Sequence, residues 1–207
     1  MSKNRLDLVE TFDQLGHDHW KALGTKLGGI ENVKRILRDI AKVTVEINRR
    51  LTTFTSFTMP ASKRDVLEFF QSQRSLYLSD EFQKLILAAV TKGIHQVDEA
   101  TRGYSKFTEQ ASDVEIGAEL PAGHVFDTVN GLLVFLAALL EAKWLNKRSS
   151  PLIATGKANI FYVKVGGGVF AVYVYCETAA GLWFCHVLEL GSSQWLAGSR
   201  VFSATGT

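Results

Sequence analysis

The stretch 158–203 constrains this chain more than any other part of it. Side chains of a β-strand point to opposite faces in turn, so a period of two marks a strand. Four runs have that period: 160–165, 169–177, 182–190 and 195–202. The breaks between them are Gly166-Gly167-Gly168, Thr178 to Gly181, and Gly191-Ser192-Ser193. All are short and rich in Gly, Ala or Ser, as hairpin loops require. The expectation is a four-stranded antiparallel meander. A loop of two or four residues around Ala179-Ala180 sets Val172, Val174 and Cys176 beside Trp183 and Cys185, and a turn around Gly191 adds Trp195 and Ala197. That face is apolar and bulky, suited to packing on helices. The other face carries Tyr173, Tyr175 and Glu177, then Phe184, His186 and Leu188, then Leu196. A one-residue slip would exchange the faces of a strand, so register decides which set is buried.

Two dispositions of the second face stay open. Helices covering both faces would make Tyr173, Tyr175 and Phe184 core residues. Alternatively the face is an exposed aromatic recognition surface, and Glu177 and His186 on it favour that disposition.

Composition narrows the rest. In 207 residues, 46% are hydrophobic and 21% charged, enough for a proper core and against disorder. A formal charge of +2 gives no sign of a nucleic-acid partner. The most apolar run, 131–140, is far shorter than the roughly 20 residues of a membrane-spanning helix. No positive-then-apolar leader opens the sequence, so the expected location is cytoplasmic. Cys176 and Cys185 could face each other across two strands, or be small buried side chains in a reducing compartment.

Upstream, 1–150 reads as a mostly helical scaffold with a strand region near 43–57. A basic, Ser/Gly/Pro-containing segment at 146–156 leads into the β region 151–207, and the whole is expected to form one compact unit. The class is α+β: a helical N-terminal part packed on a C-terminal four-stranded sheet. Leu8, Phe12, Leu15, His19 and Leu23 mark a first helix. Ile30, Val33, Ile36, Leu37 and Ile40 mark a second, with Lys34, Arg35 and Arg38 on its polar face. Ser62 with Asp65 reads as a helix N-cap, Leu76-Tyr77-Leu78 as a short extended piece, and Ser79 or Asp80 as the next cap. The polar segment 94–107 suits two irregular strands. Ser112-x-x-Glu115 is a capping box, and Asp127 can cap an apolar helix reaching Trp144.

Catalytic signatures are not found. His17 and His19 stand two apart on a helix, about 200° from each other, and cannot chelate one ion. His124 follows a Pro-Ala-Gly turn and suits a capping or hydrogen-bonded role. His186 could act as a base, yet no Ser or Cys has a spacing that pairs with it. Gly166-Gly167-Gly168 lacks the Lys-Ser/Thr of a phosphate loop. No enzyme activity, metal or cofactor is indicated.

Several motifs carry a resemblance. They are Leu27-Gly28-Gly29-Ile30-Glu31, Phe69-Phe70 with Leu76-Tyr77 and Phe82, Glu115-Ile116, and Leu120-Pro121-x-x-His124-x-Phe126. The most specific are Ala158-Asn159-Ile160-Phe161-Tyr162 and Trp195-x-Ala197-Gly198-x-Arg200-Val201-Phe202-Ser203. Together they resemble a family of uncharacterised proteins from uncultured small-genome bacteria, whose pattern of fixed and changing positions is similar to that of the variable proteins of diversity-generating retroelements. The resemblance implies a fixed scaffold carrying a mutable ligand-binding surface. Its frame would be Val172, Val174, Trp183, Trp195, Ala197, Gly198, Arg200, Val201 and Phe202. The mutable, ligand-binding set would be Tyr173, Tyr175, Glu177, Phe184, Ser193, Gln194, Leu196 and Ser199, with His186 on the same face. The chain departs from the pattern at Cys176, where Trp is expected, and at the triple glycine. The implied function is non-enzymatic binding of a protein or other macromolecule. The alternative is an assembly module whose aromatic face is a permanent subunit contact, with an oligomer as its consequence.

Overall fold

The computed structural model describes residues 50–205 except 118, 121, 122 and 146–149, together with Asn32, Lys34, Arg35 and Arg38. Those four are helical, and Lys34, Arg35 and Arg38 are exposed, as the polar face of the second expected helix requires. The first helix, the strand at 43–49 and the His17/His19 pair lie outside the described residues. Contacts divide the chain into Met1–Arg49 and Arg50–Thr207, and the second unit is the one described below.

In chain order the unit runs β1 (Thr55–Met59), β2 (Ser62–Asp65), helix α1 (Val66–Ser72) and β3 (Leu76–Leu78). A π-helical turn (Phe82–Ile86) and a 3-10 turn (Leu87–Ala89) lead to β4 (Ile94–Val97) and β5 (Ala100–Lys106). Then come β6 (Ala111–Ser112), α2 (Asp113–Ile116), β7 (Val125–Phe126) and α3 (Val129–Trp144). The C-terminal part is β8 (Asn159–Val165), β9 (Gly168–Glu177), β10 (Leu182–Glu189), β11 (Gln194–Trp195) and β12 (Arg200–Ser203).

Two hairpins form the heart of the unit, and both follow from local chemistry. Val165 pairs with Gly168, leaving Gly166-Gly167 as a two-residue turn with both φ values positive. That is the turn whose twist matches its strands, and it wants glycine at both centres. Four residues, Thr178 to Gly181, close the second hairpin by pairing Glu177 with Leu182, and the Gly181 N–H returns to the Glu177 carbonyl at 2.9 Å. This register puts Val172, Val174, Cys176, Trp183, Cys185 and Val187 on one face, as the alternation predicts.

The meander ends there. Instead of a four-stranded antiparallel sheet under helices, the unit holds an eight-stranded mixed sheet in the order β1-β5-β12-β8-β9-β10-β3, with β7 also on β8. The run 195–202 is not one strand. Gly198 sits at φ +89, and the Ser199 N–H bonds back to the Leu196 carbonyl, so the run turns and splits. Glycine inside an alternating run often marks such a break. Its first piece, β11, pairs with β6 in a separate ribbon. Its second, β12, crosses to the far edge of the hairpins and lies parallel to β8 and antiparallel to β5. The place beside β10 goes to β3, in parallel register. Strands from both sides of 146–156 therefore share one sheet.

Caps shift by small steps from the sequence reading. Asp65, not Ser62, caps α1 by accepting from the Glu68 N–H, and Ser62 lies in β2. Thr128, not Asp127, caps α3, while Asp127 pairs with Lys164 at 2.6 Å. Ser79 accepts from the Phe82 N–H, and the Ser112/Glu115 capping box is complete. The two cysteines are free and buried, but they are not opposite each other: Cys176 faces Trp183 and Cys185 faces Val174.

The core sits between the inner face of the sheet and α3. Residues 132–137 of α3 are buried without a break, which happens when a helix is covered on every side. One side meets β8 and β7; the others meet α1 and the β2–β4 ribbon. At the centre Phe161 and Phe202 stack at 4.7 Å, with Phe135 edge-on to both. Asn159 is fully buried yet satisfied: its side chain accepts from the Ile153 N–H and donates to the carbonyls of Ile153 and Val174. Phe202→Ala empties the centre of this core and is expected to cost about 3–5 kcal/mol. Urea unfolding checks it: the midpoint falls while the slope stays unchanged.

Candidate ligand-binding face

The outer face of the sheet is covered at one end and open at the other. Near β12 and β8 a second cluster closes over Ile160, Tyr162, Ala171 and Val201, using Leu51, Phe107, Ala111, Ile116 and Trp195. Towards β10 and β3 the covering stops. There Tyr173, Tyr175, Phe184 and His186 are half-buried, neither sealed nor free.

Cross-strand register makes these four a stack. Tyr175 opposes Phe184 and Tyr173 opposes His186. The paired rings are 5.1 and 5.2 Å apart with planes within 9° and 17°. Tyr175 and His186 join the pairs diagonally at 5.8 Å and 14°. Parallel rings this close cannot lie side by side in one plane, so they are offset-stacked, the preferred geometry for aromatic pairs. Tyr77 on β3 extends the array, 5.3 Å from Phe184, and is 52% exposed. Trp195 closes the other end, packed edge-on against Tyr173 at 5.3 Å.

Trp195 is therefore on the outer face, not beside Val172 and Val174 as parity through a continuous fourth strand implied. Ala197, assigned with it to the inner face, is exposed in the turn. A buried carboxylate explains the placement. Asp113, at the start of α2, accepts at one oxygen from the Trp195 indole N–H and the Tyr162 hydroxyl, both at 2.5 Å. Its other oxygen accepts from the Gly191 N–H at 3.1 Å. One side chain thus ties α2, β8, the turn after β10 and the wall of the face. Burial, and then the bond to Asp113, push the Tyr162 phenol well above its ordinary pKa.

Between the 156–158 segment and the 192–199 turn, Tyr173 and Tyr175 line an open groove of about 430 Å³. Ser193, Gln194, Leu196 and Ser199 also border it, with Lys157 and Leu188. Of the expected ligand-binding residues, then, two groups come together: the ring stack, and the groove that shares Tyr173 and Tyr175 with it. Glu177 stands apart, exposed at the hairpin end. Ser199 is 1% exposed, which corrects its place among freely presented positions. Among the frame residues Val172, Val174, Trp183, Trp195, Val201 and Phe202 are buried, and Arg200 stacks over Tyr104 at 4.3 Å while donating to the Pro151 carbonyl.

Sequence reasoning missed Tyr77, Lys157 and Asp113. Leu76-Tyr77-Leu78 was legible as extended but not as a neighbour of β10. Asp113 was visible only as the second residue of a capping box.

Burial lowers the His186 pKa, opposed by the charge of Glu81, and its buried Nε2 has no hydrogen-bond partner among the described residues. Burial first, then Tyr175, raise that of Tyr173. His124 lies edge-on to Tyr162 at 5.7 Å. Among the described residues no group of His, Cys, Asp and Glu could hold a metal ion, and no helix is long and apolar enough to cross a membrane. Compared with family models, with curated proteins and with solved structures, the chain matches none.

Two outcomes follow. Asp113→Ala leaves a buried phenol and indole unpaired and should lower stability by about 2–4 kcal/mol, with the Trp195 emission shifting red as its wall loosens. A histidine whose folded pKa is depressed binds its proton more readily when unfolded. The His186 contribution to stability is therefore complete above the unfolded pKa of about 6.5 and is lost as pH falls through the folded value. Denaturation midpoints of the wild type should drop across that window, and those of His186→Phe should drop less.

Proposed function

We propose that this chain is a non-enzymatic ligand-binding protein, the variable protein of a diversity-generating retroelement, meeting a protein or other macromolecule through the outer face of β9 and β10. One observation carries the reading. The resemblance separates frame from mutable positions, and the fold separates buried from presented ones, along nearly the same line. Val172, Val174, Trp183 and Phe202 are sealed against α3 or its neighbours, while Tyr173, Tyr175, Phe184 and His186 look outward. Replacing half-exposed residues away from the core costs little stability, so a face of this kind can vary without losing the fold. Its Tyr, Ser and Gln side chains give adaptable contact area, as antibody loops do. His186 stacks on the rings of Tyr173, Tyr175 and Phe184, and no Ser or Cys among the described residues is hydrogen-bonded to it, which favours binding over nucleophilic catalysis.

The test is genetic. A near-copy of the codons for the outer-face positions should lie beside the gene, mismatched at adenines and accompanied by a reverse transcriptase gene. If both are missing, the retroelement reading fails. A second reading, a permanent subunit contact, is favoured by Tyr77 and Leu196, each about half exposed at the margins of the face. Light scattering separates the two: a stable oligomer that Tyr175→Glu dissolves supports assembly, and a wild-type monomer excludes it.

A further inference from the structure

The groove beside the ring stack has a chemistry of its own. Among the described residues Lys157 is the one charged side chain that lines it, and no carboxylate does. Three other basic groups of the unit are held in ion pairs: Lys164 with Asp127, Arg64 with Glu141, and Arg50 with Glu109 and Glu115. Lys157 has no ion pair among the described residues, and it is half-buried rather than extended into water. Its stem lies over Gly198: a Cβ there would meet the Lys157 Cγ at 3.8 Å and Cε at 4.0 Å. The bare glycine at φ +89 thus gives the lysine a bed along the groove wall.

The remaining polar groups are hydroxyls and an amide, from Ser193, Ser199, Gln194 and the phenols of Tyr173 and Tyr175, with the Ser192 hydroxyl, already donating to the Glu189 carbonyl, able only to accept. The others can each donate and accept. Because burial and its neighbour Tyr175 raise the Tyr173 pKa, that phenol keeps its proton and remains a donor. The floor strand β9 has both edges taken, by β8 and β10, so it offers no backbone ladder to an extended peptide. One ammonium is far too little for a polyphosphate backbone. A volume of about 430 Å³ falls within the range of small-ligand sites, and the groove is open to solvent.

We infer that the groove takes a carboxylate-bearing saccharide, a chain of uronic-acid-type sugars. Its hydroxyls would meet the Ser, Gln and Tyr groups, its ring C–H faces the aromatic wall, and its carboxylate Lys157. The inference rests on the reading of this face as a ligand-binding surface and names the class of ligand. Lys157 lies outside the mutable set, so it would be a constant anchor beside positions that change.

The experiment is isothermal titration of the full chain with an oligogalacturonate and with a neutral oligogalactoside of equal length. The acidic chain should bind about two- to fivefold more tightly at low salt, the size expected of one partly exposed ion pair. That preference should shrink as salt is raised. Lys157→Gln should abolish the preference, bringing the acidic chain's affinity to about that of the neutral one, and Tyr175→Ala should weaken both. Equal affinities in the wild type overturn the proposal, as does a preference that survives Lys157→Gln. Failure of both sugars to bind overturns this ligand class, while the variable-face reading is decided separately by the template copy beside the gene.

Discussion

Burial of one face of the two central hairpins against α3 is the constraint from which the rest follows. Because side chains alternate along β8, β9 and β10, fixing Val172, Val174 and Val187 against the helix side leaves no freedom in where Tyr173, Tyr175 and His186 point. A slip by one residue would carry three valines and Cys185 to the outside and drive two phenols and an imidazole into an apolar core. The unpaired polar groups alone would then cost several kcal/mol (about 1–3 for each). The glycine pair at 166–167 reinforces the same register from the loop end, since only its two-residue turn joins Val165 to Gly168 without splaying the strands.

The same constraint explains what could be read in the sequence and what could not. Alternation and turn chemistry are local, so β8, β9 and β10, their loops and the two faces of β9 and β10 were legible, as were the Ser112 box and the Ser79 cap. The neighbours of those strands were not. Nothing local in Arg200-Val201-Phe202-Ser203 says that it lies beside β8 rather than β10, and a meander assumes that consecutive strands pair, which holds about two-thirds of the time. The clue was Gly198. Read as an interruption rather than as a strand residue, it would have cut the fourth run in two and freed both halves to pair elsewhere. Leu76-Tyr77-Leu78 is too short to announce a partner, and so the ring that extends the face escaped notice.

Asp113 shows a different kind of illegibility. A carboxylate at the first position of a helix is commonplace and usually solvated. Here it is buried, and three donors from segments far apart in sequence converge on it. Its role is set by Tyr162, Gly191 and Trp195 arriving around it, which no spacing rule anticipates. The result is a loop whose anchor is electrostatic and hydrogen-bonded, while its outward residues Ser193, Gln194 and Leu196 carry none of that load. A wall held from behind can change its front.

On the proposed reading the face has to combine two properties that usually conflict. Binding sites need pre-organised geometry, because each side chain ordered on association costs affinity, about 0.5–1.5 kcal/mol for a mobile one. Sites that vary need residues whose replacement the fold tolerates. The stack resolves this by holding rings on paired strands, where the backbone is fixed by ladders and by α3 beneath, not by contacts among the rings themselves. Substituting Tyr175 or Phe184 removes a ring contact worth about 0.5–1.5 kcal/mol beyond its area, small beside a core phenylalanine such as Phe202. The order of the surface is inherited from the buried side of the same strands, so the identity of the presented residues can be exchanged while their positions stay put.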